Sequence, residues 1–195
     1  MIEIINENLN DRFFNLVSDS KQTIKLCSPF VKEDIIKEIY NNKKTNVSID
    51  IISNFSIPNF YKGSSDIEAF NLVEKNKDRI FNCQKLHAKI YIFDNNKSII
   101  TSSNLTYSGL NKNLEYGVFI NDLNLVNKTI VDFIEICNDK NNSIIKENNI
   151  LEIEKILRSL PKYKENKIFN NTGNEVDYLL EENLDLIKSN LSQWK

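Results

Sequence analysis

Two apolar runs on either side of a pair of asparagines constrain this chain's fold more than any other feature. Leu86 to Asp94 reads Leu-His-Ala-Lys-Ile-Tyr-Ile-Phe-Asp, and Ser98 to Asn104 reads Ser-Ile-Ile-Thr-Ser-Ser-Asn. Asn95 and Asn96 tolerate the positive φ angles of a tight turn, so the stretch predicts a β-hairpin. Strand alternation puts His87, Lys89, Tyr91 and Phe93 on one face. Folding the second run back about a two-residue turn sets Asp94 opposite Lys97, Lys89 opposite Ser102 and His87 opposite Asn104. Opposed residues of an antiparallel pair share a face, so His87, Lys89, Ser102 and Asn104 converge. A one-residue slip would scatter them.

Those four side chains suit a phosphodiester. Lysine brings a point charge, serine and asparagine bring neutral donors, and histidine can attack or carry a proton near neutral pH. A plainer reading also exists, because any hairpin sets polar groups opposite one another and a lone histidine is more often structural. Ile90, Ile92 and Ile99 argue that this hairpin is central and covered. A covered lysine and histidine are costly unless they have a task.

The remaining chain reads as alternating strands and helices. Ile2 to Ile5 is a short strand or lead-in, and Asn10 to Ser20 has helical spacing through Phe13, Phe14, Leu16 and Val17. Thr23 to Ser28 is a strand stopped by Pro29, Glu33 to Asn41 a helix, and Val47 to Ser53 a strand. Strand, helix, strand in that order predicts a parallel crossover unit. Phe55 to Ser65 reads as a loop, Asp66 to Lys77 as a helix, Leu105 to Lys112 as a loop or short turn, and Leu114 to Asn121 as a strand that starts next to Glu115. A helix follows from Leu123 and a second covers Asn149 to Leu160. The expected class is α/β, a mixed and mostly parallel sheet flanked by helices, with a helical C-terminal extension. Residues 1–160 would form the catalytic domain, and 161–195 a lysine- and asparagine-rich linker with an amphipathic helix.

Composition excludes some classes. No apolar run reaches the ~18 residues a membrane helix needs, and no secretory leader is visible at the amino end. Three cysteines, at 27, 83 and 137, are odd in number and lack CxxC spacing. They read as reduced, buried thiols of a cytoplasmic protein, not as zinc ligands. The net charge of -2 offers no global basic field, although a local groove can still be basic.

The run His87-x-Lys89-x4-Asp94-x6-Thr101-Ser102-x-Asn104 resembles the HxKxxxxD(x6)GSxN signature of the phospholipase D superfamily, with Thr101 where the family usually has glycine. Asn113-Leu114-Glu115 resembles the segment that supplies a family glutamate. Leu86-His87-Ala88-Lys89 and Ser103-Asn104-Leu105-Thr106 look most like its single-motif nuclease branch, which includes a metal-independent restriction endonuclease. The resemblance spans roughly Thr23 to Ile120.

It implies a phospholipase D-like fold and a mechanism with two histidines, one attacking phosphorus and one protonating the leaving oxygen. This chain has one histidine, His87, so a homodimer must bring two motifs together. Lys89 and Asn104 would hold the non-bridging oxygens, Ser102 would add a hydrogen bond to substrate, and Glu115 would fix the tautomer of His87. Asp94, on the opposite strand face, would be a structural partner of Lys97 or of a loop. The implied enzyme needs no cofactor or metal and acts on DNA away from membranes. A helicase or a DNA-recognition domain or subunit would be its companion. A phospholipase or transphosphatidylase is the alternative, and a catalytically silent dimerisation or DNA-binding module is a third reading.

Overall fold

The computed structural model describes residues 1–161. The linker and helix expected beyond that point lie outside the described residues. Eight strands form one sheet among the described residues: β1 (Ile2–Ile5), β2 (Thr23–Cys27), β3 (Ser48–Ser53), β4 (Arg79–Asn82), β5 (Ile90–Phe93), β6 (Lys97–Thr101), β7 (Gly117–Ile120) and β8 (Ser143–Ile145). Their order across the sheet is β1-β7-β6-β5-β2-β3-β4-β8.

The expected α/β class and its mixed sheet are present, but the strand balance differs. Only β2 with β3 and β3 with β4 run parallel, each pair joined through a helix. Pairings β1–β7, β7–β6, β6–β5, β5–β2 and β4–β8 are antiparallel. The sheet is therefore mostly antiparallel. A parallel neighbour needs a crossover of a dozen or more residues, whereas the hairpin β5–β6 needs only a tight turn and β7 returns beside β6 through residues 102–116. Edge strands β1 and β8 add two further antiparallel pairs. Neither Arg79–Asn82 nor Ser143–Ile145 is long enough to announce a strand by alternation.

Helices cover both faces. On one side lie α1 (Leu9–Asp19), α2 (Glu33–Asn42), the short α3 (Ile57–Tyr61), α4 (Ile67–Lys75) and α6 (Glu147–Ser159). Their apolar stripes meet the inward residues of the sheet in a large core that includes Phe13, Ile36, Phe70, Tyr91 and Phe93. Segment 55–65, expected as a loop, holds α3, because Phe55 and Phe60 turn inward and stack edge-on with Phe70. Those rings are buried and cover the sheet. On the other side α5 (Leu123–Asn138), capped by the Asp122 carboxylate, packs Val126 and Phe133 onto Ile92, Ile120 and Cys27. Each fully buried side chain of this kind contributes on the order of 1.5–3 kcal/mol.

Of the cysteines expected to be buried, Cys27 is, while Cys83 and Cys137 are half-buried. Burial pushes the Cys27 thiol up to about 12.

Candidate active site

The hairpin forms where expected, but in a different register. Phe93 pairs with Lys97, Ile92 with Ser98, Tyr91 with Ile99 and Ile90 with Ile100. Asp94 and Asn95, not Asn95 and Asn96, take the positive φ values, 50° and 56°, and the Asn96 N–H donates back to the Phe93 carbonyl at 3.1 Å. The cause is a long-range tie. The Asp94 carboxylate accepts from the backbone N–H groups of Lys21, Gln22 and Thr23 at 2.8–3.2 Å, which holds it at the turn apex. Charge-assisted bonds of this type outweigh the small conformational preference of one asparagine over another.

Lys89 consequently faces Thr101 across the hairpin, its carbonyl accepting from the Thr101 N–H at 3.1 Å, and the expected opposition to Ser102 is absent. His87 is not paired with Asn104 by the ladder either. The slip does not scatter the motif, for a local reason. Strand geometry ends at Ile90 and Thr101, so residues 86–89 and 102–104 are irregular and their side chains are no longer bound to alternate.

In that irregular region Lys89 is buried, with its ammonium donating to the His87 carbonyl at 2.6 Å and lying 3.4 Å from His87 Nδ1. An ammonium can only donate, so in any bond between the two Nδ1 is the acceptor. The His87 residue itself is exposed, unlike the covered histidine expected from sequence. Burial lowers the Lys89 pKa from its usual value, and the negative charge of Glu115 opposes that shift.

Asn104 is half-buried and held from behind. The Ser28 hydroxyl, at the end of β2, lies 3.5 Å from Asn104 Oδ1 and accepts from the Leu105 N–H at 3.1 Å. With Oδ1 turned toward Ser28, the amide nitrogen is left to donate elsewhere. The Lys32 N–H bonds the Leu105 carbonyl at 2.9 Å, and the Tyr91 hydroxyl donates to the Ser103 carbonyl at 2.7 Å. Gly109, in the π-helical turn Ser108–Lys112, abuts the Asn104 backbone so closely that a Cβ there would sit 2.6 Å from the carbonyl oxygen.

Glu115 directs its carboxylate to Ser102 and to Asn113. One oxygen accepts a short bond from the Ser102 hydroxyl, and the other accepts from Asn113 Nδ2 at 3.1 Å. Within one chain these bonds, and not a bond to the His87 ring, occupy the carboxylate. Ser102 is thereby tied to Glu115 and also accepts from the Tyr116 N–H at 3.0 Å.

Thr101, where a glycine was the expected residue, faces Gly117 on β7. A Cβ on Gly117 would lie 3.0 Å from the Thr101 Cβ, so the space has been kept on the neighbouring strand. The Thr101 hydroxyl donates to the Tyr116 carbonyl and accepts from the Ser103 N–H, stitching the end of β6 to the Ser102 turn.

Sequence reasoning did not identify Ser28 or Gly109 as supports of the site, and named Asn113 only within the segment that carries Glu115. Ser28 had one available signal, the Ser-Pro pair ending a strand, since loops after such strands line sites in α/β folds. The other two sit in a segment without periodicity. Tyr107 and Lys112, in the same segment, are both exposed and lie against each other, with the ammonium 5.1 Å from the ring centroid.

Together these groups can bind an anionic tetrahedral centre, supply a nitrogen nucleophile and orient it. The family model described as cardiolipin synthase, PLD-like domain, matches residues 13–137. No curated relative matches the sequence. Among solved structures, Nuc, a phospholipase D family member from Salmonella typhimurium, superimposes with a TM-score of 0.63 at 19% identity, over 75% of this chain and 99% of that one. NucT from Helicobacter pylori gives 0.58 at 14% identity, over 70% and 94%. Phosphatidylserine synthase of Haemophilus influenzae Rd KW20 gives 0.59 at 12% identity, over 80% of this chain and 42% of that one. At such identities the structural likenesses speak for the fold alone.

Proposed function

The chain belongs to the PLD-like domain family of cardiolipin synthase, matched over well over half its length, and from that premise we propose that it is a metal-independent phosphodiesterase cleaving DNA, of restriction or defence type, through a phosphohistidine intermediate in a homodimer. The observation that carries the reading is the buried Lys89 ammonium held against His87, since a desolvated cation beside an exposed imidazole needs an anion to complete it. Residues 1–160 would be the catalytic domain. A helicase or DNA-recognition domain or subunit would accompany it.

A His87 ring nitrogen attacks phosphorus, a P–N bond forms, and the P–O bond to the leaving strand breaks. The leaving oxygen takes its proton from the second His87, supplied by the symmetry mate. Water then attacks phosphorus, the mate's ring accepts its proton, and the P–N bond returns its electron pair to His87. Lys89 and the Asn104 amide hold the non-bridging oxygens, where negative charge grows in the transition state. Ser102 positions Glu115, whose negative charge favours the imidazolium form that appears during turnover. Lysine and asparagine thus provide the charge stabilisation that a cation would otherwise give.

Two further features support the paired arrangement. The chain contains a single histidine, and one ring cannot attack phosphorus and protonate the leaving group in the same step. Beside Glu115, Leu114 is 97% exposed, and Tyr116 and Ile100 are exposed with it, an apolar fringe suited to a second copy.

The test is cleavage of single- and double-stranded DNA in EDTA by a sample of known solution mass, with His87→Ala as control. A dimer that cuts in EDTA and is silenced by the substitution is the expected result. A strict monomer that cuts, or a requirement for magnesium, would overturn the mechanism. Hydrolysis of phosphatidyl esters in place of DNA would shift the substrate to lipid.

A further inference from the structure

Tyr107 lies three residues past Asn104 and is 51% exposed. A single exposed ring is ordinary on a protein surface, but the backbone that carries this one is fixed to the site. The Thr106 N–H donates to the Asn104 carbonyl at 2.8 Å, and the Leu110 N–H donates to the Thr106 carbonyl at 3.0 Å. The Gly109 N–H donates to the Thr106 hydroxyl at 3.0 Å. Leu105 and Leu110, before and after the tyrosine, are both buried in the main core. These two leucines anchor the segment, so burial does not account for the aromatic residue between them.

A cation accompanies the ring. The Lys112 ammonium lies 5.1 Å from its centroid, inside the ~6 Å reach of a cation–π contact. Lys112 forms no ion pair among the described residues, whereas Arg12, Lys32, Lys37, Arg79 and Arg158 each meet a carboxylate. Glu115, the acidic residue nearest in sequence, is taken by Ser102 and Asn113. An open π surface beside an uncompensated positive charge is the pairing that single-stranded nucleic acids are bound by. The path to it is also set by the fold. Leu105 and Leu110 belong to the core on the α1 side of the sheet, and Leu86, next to His87, belongs to the cluster under α5. The two motif segments therefore leave the end of the hairpin toward opposite faces.

We propose that Tyr107 and Lys112, fixed beside Asn104, form a shelf for a nucleotide flanking the scissile phosphate, the ring stacking an unpaired base and the ammonium neutralising a neighbouring phosphate. A strand whose scissile phosphate rests on Lys89 and Asn104 crosses the end of the sheet with one flank over this shelf. Three residues span at most about 11 Å, which keeps the ring within reach of that flank. Stacking uses a π face that every base has, so the shelf is tolerant of sequence. It does require a base out of its duplex stack, which costs least in single-stranded DNA. The inference rests on the nucleic-acid reading above and adds a strand preference to it.

The test is binding, by fluorescence anisotropy, to the full chain carrying His87→Ala so that nothing is cut. The probes are a thymidine oligonucleotide and an abasic strand of equal length. Adding Tyr107→Ala should weaken binding of the thymidine strand by at least about fivefold, the low end for one stacked base, and leave binding of the abasic strand as it was. Tyr107→Phe keeps the ring and should keep the affinity. Lys112→Gln should weaken both strands and flatten the slope of log K against log salt by about 0.7, the value for one phosphate contact on a single strand. Equal losses on both strands with Tyr107→Ala, or no loss on either, would overturn the shelf, as would an unchanged salt slope with Lys112→Gln. A chain that stacks the thymidine strand through Tyr107 but cleaves no diester would keep the shelf and refute the nuclease. Cleavage by a chain whose Tyr107→Ala variant binds both strands like its parent would do the reverse.

Discussion

Lys89 is a buried lysine beside an exposed imidazole. Burial lowers its pKa from the ordinary 10.5, and the nearby Glu115 carboxylate only partly opposes this. The sign of the consequence follows from linkage. A cation whose folded pKa is lowered makes its unfavourable contribution in full at pH below that folded value, and the penalty fades as pH rises toward the unfolded value of 10.5. Activity moves the other way, because the deprotonated amine no longer holds the non-bridging oxygens. The expected kcat/KM profile has a Lys89-dependent fall before 10.5, and Lys89→Arg should remove that fall and lower the plateau while leaving the alkaline limb of the general acid in place. A wild-type profile flat to 10.5, measured on a soluble diester, would show that this ammonium does not act on the substrate.

At the scale of elements, the π-turn Ser108–Lys112 acts as a wedge behind Asn104. A Cβ on Gly109 would lie 2.6 Å from the Asn104 carbonyl oxygen and 2.9 Å from Ser103 Oγ, so one of the two segments must move. Gly109→Ala is expected to cost about 1–3 kcal/mol in stability and to lower kcat by more than about tenfold, since a misplacement near 1 Å can cost about a hundredfold. Gly63 is the control. Its φ is +71° but nothing lies within 4 Å of an added Cβ, so Gly63→Ala should strain only the local backbone and leave kcat unchanged. Thermal unfolding and steady-state kinetics on both variants separate the two effects.

The elements also show what the sequence could and could not reveal. The parallel unit β2–α2–β3 was legible because its periodicity is strong and its crossover rule nearly universal. The hairpin was legible from its asparagines, yet its register was not, because the deciding bonds reach from Asp94 to residues 21–23. Residues His87, Lys89 and Asn104 could be singled out by type and spacing. Their supports could not, since Ser28 reaches Asn104 from 76 positions away. Glu115 was legible as a neighbour of the motif, while its bonding to Ser102 and Asn113 depends on how the turn before β7 closes.

Across the whole molecule, a site assembled from two copies behaves differently in mixtures from a site within one. Subunits of wild type and His87→Ala, mixed equally and allowed to reassort, should retain about a quarter of the activity if every productive site needs both rings, because only wild-type pairs contribute. Retention near half would show that each ring works independently, and retention near three quarters that one ring suffices for a shared site. Within each copy, the sheet joins a hairpin-built half, β1-β7-β6-β5, to a crossover-built half, β2-β3-β4, and the join is the β5–β2 pairing. His87 and Lys89 precede β5, Asn104 follows β6, and Ser28, which braces Asn104, follows β2. The reacting groups therefore all lie on the hairpin-built half, while the brace Ser28 comes from the other through pairings such as Leu26 with Tyr91, distant in sequence. A chain with both halves formed but not yet zipped together would contain every reacting group and leave Asn104 without its brace. Under the proposed function, a copy caught before the two halves pair would hold its substrate's oxygens loosely and cut poorly.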